Sequence, residues 1–138
     1  MKKSKPKIYK YTQPIYPVED LIVIVTDDYS NLKITDLKDE DNNDLECAKS
    51  SWTAFTVVNG YYKKKPCLAV VLNTKALKRE YKYYSKYIAY DVFAHEGVHV
   101  AHSLLSDAGL QLSNETEECY AYVVGWVSRC LAESYNKK

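Results

Sequence analysis

Hydrophobic residues recur with two different periods along the chain and divide it into a β-leaning first half and a helical second half. Residues 21–26 form a short, continuous run of apolar and mostly β-branched side chains, which is typical of a strand buried on both faces. Two further apolar runs lie on either side of Asn59 and Gly60. Asn-Gly is a preferred pair for a tight turn between strands, because both of its positions take positive φ. The sequence therefore predicts a β-hairpin with strands 53–59 and 61–72.

The two segments that flank the first strand are polar and carry weaker signals. Residues 1–18 contain three prolines, with five lysines in the first ten positions, and predict a basic N-terminal arm with at most an edge strand over residues 8–12. Residues 27–44 are acidic with few apolar anchors and predict a loop or a short irregular strand. We therefore expect one folded domain over residues 19–138.

From residue 74 the apolar period changes to that of helices. The pattern predicts a short helix over residues 75–80, a long helix over 82–105, and a last helix that begins near Ser113 or Asn114 and extends to about residue 135. Residues 119–127 are apolar nearly all round, so we expect this last helix to be buried on most faces. The predicted fold class is α+β, a small sheet with a β-hairpin packed on two long helices.

Length and composition agree with a single globular domain. The chain has 138 residues, of which 46% are hydrophobic and 27% charged, with a net charge of +1. A nucleic-acid partner would need a dense basic face, so this charge balance predicts none. No apolar run approaches the ~18 residues that span a bilayer, and no signal peptide follows the basic arm, so we expect a cytoplasmic protein, in a host cell or virion if a phage encodes it. The four cysteines form no CxxC pair and are expected as free thiols.

The sequence His95-Glu96-Gly97-Val98-His99 is an HExxH motif. In a helix, His95 and His99 lie one turn apart on one face, within reach of a single Zn²⁺ ion. Glu96 then points to the neighbouring side, where its carboxylate can act as a general base toward a water molecule. The apolar flanks, and the concentration of all three histidines within eight residues, favour a metal site over a helix with unrelated histidines. The motif predicts one Zn²⁺ bound by His95 and His99, with Glu96 as the catalytic base.

A catalytic zinc site needs a third protein ligand and an open fourth position. His102 lies three residues after His99, but three ligands along one straight helix converge poorly on a tetrahedral ion. The metzincin pattern is absent, because it needs Gly at position 102 and His at position 105. The better candidate is Glu118 on the following helix, with Glu117 and then Glu115 as the alternatives.

Glu118 opens a sequence of the form Glu-x-x-Ala-Tyr. Positions 115, 118, 121, 122 and 125 share one face of a helix, and the small Ala121 and Gly125 predict that this face packs closely against the preceding helix. Tyr122 lies one turn after Glu118, where it can donate a hydrogen bond to a metal ligand, stabilise an oxyanion, or serve as a core tyrosine.

Residues 91–105 and 114–127 resemble the gluzincin-type zinc metallopeptidases, which carry HExxH on one helix and a ligand glutamate on the next. The resemblance is strongest to small single-domain members of bacteria and phages, in which a Glu-x-x-Ala-Tyr motif precedes an apolar stretch with glycine, here residues 123–126. It implies a zincin-like minimal metallopeptidase fold, in which an edge strand lies over the active helix and holds a peptide substrate by strand addition.

Applied to this chain, the resemblance implies that His95, His99 and Glu118 bind zinc and that Glu96 is the catalytic base. Larger gluzincins often carry an Asp one position after the Ala, where it orients a ligand histidine. This chain has Tyr122 at that position. The residues that orient the histidines must therefore differ, and Asp91, one turn before His95, is a substitute.

The leading functional hypothesis is a zinc-dependent peptidase that acts on a protein or peptide substrate. The alternative is a non-catalytic, zinc-stabilised structural or interaction protein of a phage or bacterium, because 138 residues leave little chain to wall a long cleft. A third hypothesis, a regulatory peptidase that cuts a repressor as phage-immunity gluzincins do, has no DNA-binding motif to support it. The intact Glu96 favours catalysis, because a structural zinc site needs no general base.

Overall fold

A five-stranded mixed β-sheet, with three α-helices packed on one face, forms the centre of the structure. The computed structural model describes residues 4–13, 19–45 and 49–137. The strands are β1 (Lys7–Thr12), β2 (Asp20–Thr26), β3 (Leu37–Lys38), β4 (Ala54–Tyr62) and β5 (Lys65–Asn73). The helices are a 3₁₀ helix (Tyr29–Ile34), α1 (Thr74–Tyr83), α2 (Ile88–Asp107) and α3 (Glu117–Asn136). The fold class is α+β, as predicted.

The two central strands of the sheet are buried on both faces. The strand order is β1-β2-β5-β4-β3, in which β2 and β5 are parallel and the other neighbours are antiparallel. Along β2, Leu21, Val23 and Val25 face the helices, whereas Ile22 and Ile24 face a second apolar layer that includes the 3₁₀ helix. The strand predicted at residues 21–26 is thus confirmed, because successive side chains point to opposite faces and both faces are covered.

The polar segments beside β2 are more ordered than their composition suggests. β1 is the predicted edge strand, and it pairs with β2 along its whole length. The segment predicted as a loop or irregular strand contains β3 and also the 3₁₀ helix, which the sequence pattern did not predict. Asp28 caps this helix, since its side chain accepts a hydrogen bond from the Ser30 amide at 2.8 Å. Leu32 anchors the helix in the second apolar layer.

The predicted hairpin exists, but its predicted turn at Asn59 and Gly60 is wrong. β4 continues through both residues, and the chain turns at Lys63 and Lys64, whose φ values are 49° and 66°. Asn59, with φ of 56°, lies instead where the register of β4 against β5 shifts by one residue. Val58 and Asn59 therefore stand together opposite Leu68 as a β-bulge within the strand, and Gly60 is again paired in register, opposite Cys67.

The register explains why the turn moves. A turn at residues 59–60 would place the lysines of 63–65 opposite residues 54–56. The observed register instead pairs residues 54–57 with the apolar residues 69–72. Burying these cross-strand apolar pairs outweighs the local turn preference of Asn-Gly.

The helical half has the predicted elements with different boundaries. α1 is longer than the predicted helix over 75–80, and Asn73 caps it by accepting a hydrogen bond from the Ala76 amide at 3.1 Å. Residues 84–87 separate α1 from α2, so α2 begins six residues later than predicted. α3 begins at Glu117, after a turn in which the Thr116 hydroxyl accepts a hydrogen bond from the Ser113 amide at 2.9 Å. α2 and α3 pack against each other through the short connection 108–116 and therefore run antiparallel.

In the part of the chain that the structure describes, no helix combines the length and the apolar character needed to cross a membrane. Cys67 and Cys130 are buried free thiols, as expected, whereas Cys47 lies outside the described residues. Burial raises the pKa of both buried thiols to about 12.

Candidate active site

The HExxH histidines lie on one exposed face of α2, as the helical spacing predicts. The Nε2 atoms of His95 and His99 are 3.3 Å apart, and the planes of the two rings are inclined by 68°. Both side chains are exposed, whereas Glu96 between them is buried. The helix thus turns the two imidazoles, hereafter the His pair, outward and the carboxylate inward.

The separation within the His pair fits two ligands of one tetrahedral Zn²⁺ ion. Nitrogen ligands at about 2.0–2.1 Å from zinc, at the tetrahedral angle, lie about 3.3–3.4 Å from each other. A hydrogen bond between the rings would also bring the two nitrogens close, with one of them protonated. The distance therefore fits both a zinc-binding pair and a hydrogen-bonded pair of imidazoles. A measurement of metal binding distinguishes them.

β4 holds the carboxylate of Glu96 in place. The Thr56 hydroxyl donates a hydrogen bond to Oε2 of Glu96 at 2.5 Å, and the Glu96 side chain is only 6% exposed. A buried carboxylate is costly unless it accepts hydrogen bonds, so Thr56 stabilises its orientation. Sequence reasoning missed Thr56, because it lies 40 residues before Glu96 and has no motif of its own.

The charge of Glu96 also affects the pKa of Tyr29. The Tyr29 hydroxyl donates a hydrogen bond to the carbonyl of Trp52 at 2.8 Å. Burial, and secondarily the negative charge of Glu96, raise the pKa of Tyr29 well above its usual value. Tyr29 therefore stays neutral near the site and fixes the backbone where β4 begins.

A groove runs between α2 and β4 on both sides of the HExxH motif. One cavity of about 480 Å³ extends toward Ile88 and Asp91, and a second of about 600 Å³ extends toward His102 and Ser103. Both cavities share the side chains of Trp52, Ala54, His95 and Glu96. Residues 88–103 of a helix span roughly 22 Å, so the groove is long enough for an extended segment of about six residues.

The wall of the groove opposite α2 is the open edge of β4. Thr53 accepts a hydrogen bond from the Asn73 amide of β5 at 2.9 Å, and Ala54 and Thr56 stand opposite Leu72 and Val70. Because antiparallel strands alternate, Ala54 and Thr56 direct their amides and carbonyls away from β5. β3 pairs only with residues 61–62 of β4. Within the described residues, the edge of β4 over 54–57 has no strand partner.

The helix contact behind the His pair is made by a different face of α3 than predicted. A β-carbon added at Gly97 would lie 3.2 Å from the Val124 carbonyl oxygen and 3.5 Å from the Ser128 hydroxyl. Ala121 and Gly125, which were expected to provide the close approach, are exposed instead. The prediction was wrong because residues 119–127 are apolar nearly all round, so their pattern does not say which side meets the core.

The candidate third ligands lie on the first turn of α3, and both are exposed. Glu117 is two turns before Val124, on the stripe that faces α2, whereas Glu118 lies about 100° further round, with Ala121 and Gly125. Tyr122, predicted as a catalytic residue, is 50% exposed. Within residues 4–13, 19–45 and 49–137, no three His, Cys, Asp or Glu side chains are grouped so that they could hold a metal ion. The structure thus brings together the His pair and Glu96, but not a third ligand.

Comparison of the chain with protein-family models, with curated proteins and with solved structures gives no match. The functional interpretation therefore depends on the chemistry of the groove. Of the residues predicted from the sequence, Asp91 and His102 lie in the two cavities beside the His pair. Trp52 and Thr56, which sequence reasoning did not single out, complete the opposite wall.

Proposed function

We propose that this chain is a zinc-dependent peptidase of the zincin-like type, in which the His pair and Glu118 bind one Zn²⁺ ion and Glu96 is the general base. The observation that carries the proposal is the position of the HExxH side chains. His95 and Glu96 line both cavities of a groove whose other wall is an edge of β4 without a strand partner among the described residues. Histidines without a shared function would not be expected to line a groove beside an open strand edge.

The open edge of β4 supports a peptide as the substrate. An extended peptide that pairs with Ala54 and Thr56 gains main-chain hydrogen bonds without regard to its sequence. The same register would carry its backbone past Glu96, because the Thr56 side chain already touches that carboxylate. Trp52 is 43% exposed and forms an apolar wall of the groove, where side chains of the peptide would pack.

The chemistry follows from the positions of these groups. His95, His99 and Glu118 would hold a zinc ion that, when bound, would lower the pKa of its water toward about 7 and polarise the substrate carbonyl. Thr56 occupies Oε2 of Glu96, so Oε1 is the oxygen that accepts a proton from the attacking water. The protonated Glu96 then donates that proton to the leaving amine. During this reaction the edge of β4 keeps the substrate peptide bond next to the Glu96 carboxylate.

The decisive experiment replaces the base and leaves the ligands. Glu96→Gln should bind zinc in a 1:1 ratio, measured by metal analysis of the purified protein, and should lose hydrolysis of casein and of a quenched-fluorescence peptide library. The amide is nearly isosteric with the carboxylate but cannot accept the proton. If the parent protein cleaves these substrates and Glu96→Gln retains most of that activity, Glu96 is not the base.

The ligands are tested by zinc content rather than by activity. His95→Ala and His99→Ala should each lose stoichiometric zinc, because two remaining ligands hold the ion poorly. His102→Ala is the matched control on the same helix, and it should keep zinc. Full zinc retention in either of the first two variants would remove the metal site, and with it the proposed activity.

The third ligand is decided by a pair of neighbouring variants. The Glu-x-x-Ala-Tyr resemblance assigns the ligand to Glu118, so Glu118→Ala should weaken zinc binding and Glu117→Ala, on the same turn of α3, should bind zinc like the parent. The reverse result would assign the ligand to Glu117, whose side of α3 faces α2. If neither substitution affects zinc, the third ligand does not come from the start of α3.

One observation favours the non-catalytic alternative, a zinc-stabilised structural or interaction protein. Glu96 is buried and bonded to Thr56, which is also the environment of a purely structural carboxylate. In that case zinc removal by a chelator should lower the melting temperature, and no peptide in the library should be cut by the zinc-loaded parent.

A further inference from the structure

Four of the 14 tyrosines lie within residues 83–90, and all four are exposed. Tyr83, Tyr84, Tyr87 and Tyr90 are 71%, 77%, 57% and 60% exposed. They lie at the end of α1, in the connection to α2, and in the first turn of α2. Large aromatic rings rarely cluster in solvent without a partner. We call these four residues, together with Lys82 and Lys86, the tyrosine–lysine platform.

Two of the four rings have a lysine ammonium beside them. The Lys86 ammonium lies 4.9 Å from the centroid of the Tyr87 ring, and the Lys82 ammonium lies 5.9 Å from that of Tyr83. Residues 75–90 contain five cationic side chains and a single anionic one, Glu80, which is 3.7 Å from Arg79. The net charge of +1 conceals this local excess, so a prediction from overall charge could not find it.

A cleft opens beside the platform, where the start of α2 meets the end of α3. It has a volume of about 190 Å³. The rings of Tyr87 and Tyr90 are 6.2 Å apart and inclined by only 27°, so they present similarly oriented flat faces. The polar side chains of Lys86 and Asn136 also border this cleft. The residues around it are Tyr81, Lys86, Tyr87, Ala89, Tyr90, Phe93, Tyr135 and Asn136.

The geometry points to a binding site for single-stranded nucleic acid on this platform. Unpaired bases stack on aromatic rings, and the phosphates between them are bound by lysines, with little dependence on sequence. A duplex is a poorer ligand, because its bases already stack on one another. A membrane surface is also a poorer partner, because an interfacial helix presents Leu, Phe or Trp to the lipid, whereas the exposed rings here are all tyrosines.

The platform is independent of the proposed peptidase site. Ile88, Asp91, Val92 and His95 border the groove, whereas Tyr87 and Tyr90 border the cleft on another side of α2. Loss of one function can therefore be measured without loss of the other.

Binding is measured by fluorescence anisotropy with a labelled oligothymidylate of about 15 nucleotides, the corresponding oligouridylate, and a duplex of equal length. The intact protein should bind the single strands at least about 10-fold more tightly than the duplex. Tyr87→Ala/Tyr90→Ala should weaken binding by at least about 5-fold for each ring removed, and Tyr87→Phe/Tyr90→Phe should bind like the parent, because the faces that stack remain.

Charge is tested with a matched pair of double variants. Lys82→Gln/Lys86→Gln should weaken binding and flatten its salt dependence, by a slope of about 0.7 for each phosphate that a lysine no longer neutralises. Lys64→Gln/Lys65→Gln removes two exposed lysines at the turn of the β4–β5 hairpin and should change neither. This comparison stands even if the tyrosine variants fold poorly.

Competing partners complete the test. Vesicles containing phosphatidylserine and a polyglutamate peptide are assayed under the same conditions. Binding to either that equals or exceeds binding to the single strand overturns the assignment, and so does a single-strand affinity that the tyrosine and lysine substitutions leave unchanged. Absence of measurable single-strand binding overturns it as well.

Discussion

Two glycines on the paired helices provide a test of how closely α2 and α3 approach behind the His pair. Gly97 on α2 and Gly125 on α3 are both within helices, but their surroundings differ. A β-carbon at Gly97 would lie 3.2 Å from the Val124 carbonyl oxygen, 3.4 Å from Cγ1 of the same residue and 3.5 Å from the Ser128 hydroxyl, whereas none of the described atoms lies within 4 Å of one at Gly125. The perturbation is the replacement of each glycine by alanine.

The expected magnitudes follow from two opposing terms. Alanine is about 0.8–1 kcal/mol more favourable than glycine within a helix, so Gly125→Ala should stabilise the protein by about that amount. Gly97→Ala gains the same term but presses a methyl group against a helix backbone that moves only as a unit. Such overpacking costs about 1–3 kcal/mol. Gly97→Ala should therefore range from nearly neutral to about 2 kcal/mol destabilised, and the two variants should differ by about 1–3 kcal/mol.

Urea denaturation followed by circular dichroism measures this difference, provided that the m-values of both variants match the parent. Helix propensity cancels in the comparison, so the difference reports the contact alone. Equal stabilisation by the two substitutions would refute the close packing at Gly97. The face of α3 that meets α2 would then have to be assigned again, together with the positions of Glu117 and Glu118.

Three further predictions concern the site and its support. Thr56→Val leaves the buried Glu96 carboxylate without its hydroxyl donor and should lower the free energy of unfolding by about 1.5–3 kcal/mol, whereas Thr56→Ser should stay near the parent in the same urea titration. Asn73→Ala removes the cap of α1 and should cost about 0.5–2 kcal/mol, much of which Asn73→Ser should restore. Because burial raises the pKa of Cys67 and Cys130 to about 12, against about 8.5 for an unfolded thiol, the contribution of these two thiols to stability should be fully present below about pH 8.5 and be lost as the pH rises toward 12. The urea midpoint at about pH 8 and about pH 10 checks this, and Cys67→Ala/Cys130→Ala should show a smaller fall.

Periodicity predicted those elements whose burial is decided locally. β2 is a continuous apolar run, and such a run is stable only where both faces of a strand are covered. The HExxH spacing likewise determined that His95 and His99 share a face, because the helix itself imposes that relation. These features need no information about distant residues.

Features that depend on distant partners were not predictable in the same way. Asn59 and Gly60 carry a strong local turn signal, yet the turn lies at residues 63–64, because the match with β5 decides the register. The break at residues 84–87 contains neither glycine nor proline and gives no local signal. Thr56 can donate a hydrogen bond to Glu96 only because the sheet packs β4 against α2.

The parallel pairing of β2 with β5 has a consequence for the rate at which the chain folds. Residue 20 pairs with residue 67, so the central contact of the sheet closes a loop of roughly 46 residues. Such closure costs about 3.4 kcal/mol of chain entropy plus a constant, against about 2 kcal/mol for the nine residues 108–116 that join α2 to α3. The helix pair and the β4–β5 hairpin can therefore form early, and insertion of β2 beside β5 sets the folding rate. Because the helix pair is then already formed in the transition state, destabilising substitutions between α2 and α3, including Gly97→Ala, should mainly slow refolding and leave the unfolding rate nearly unchanged.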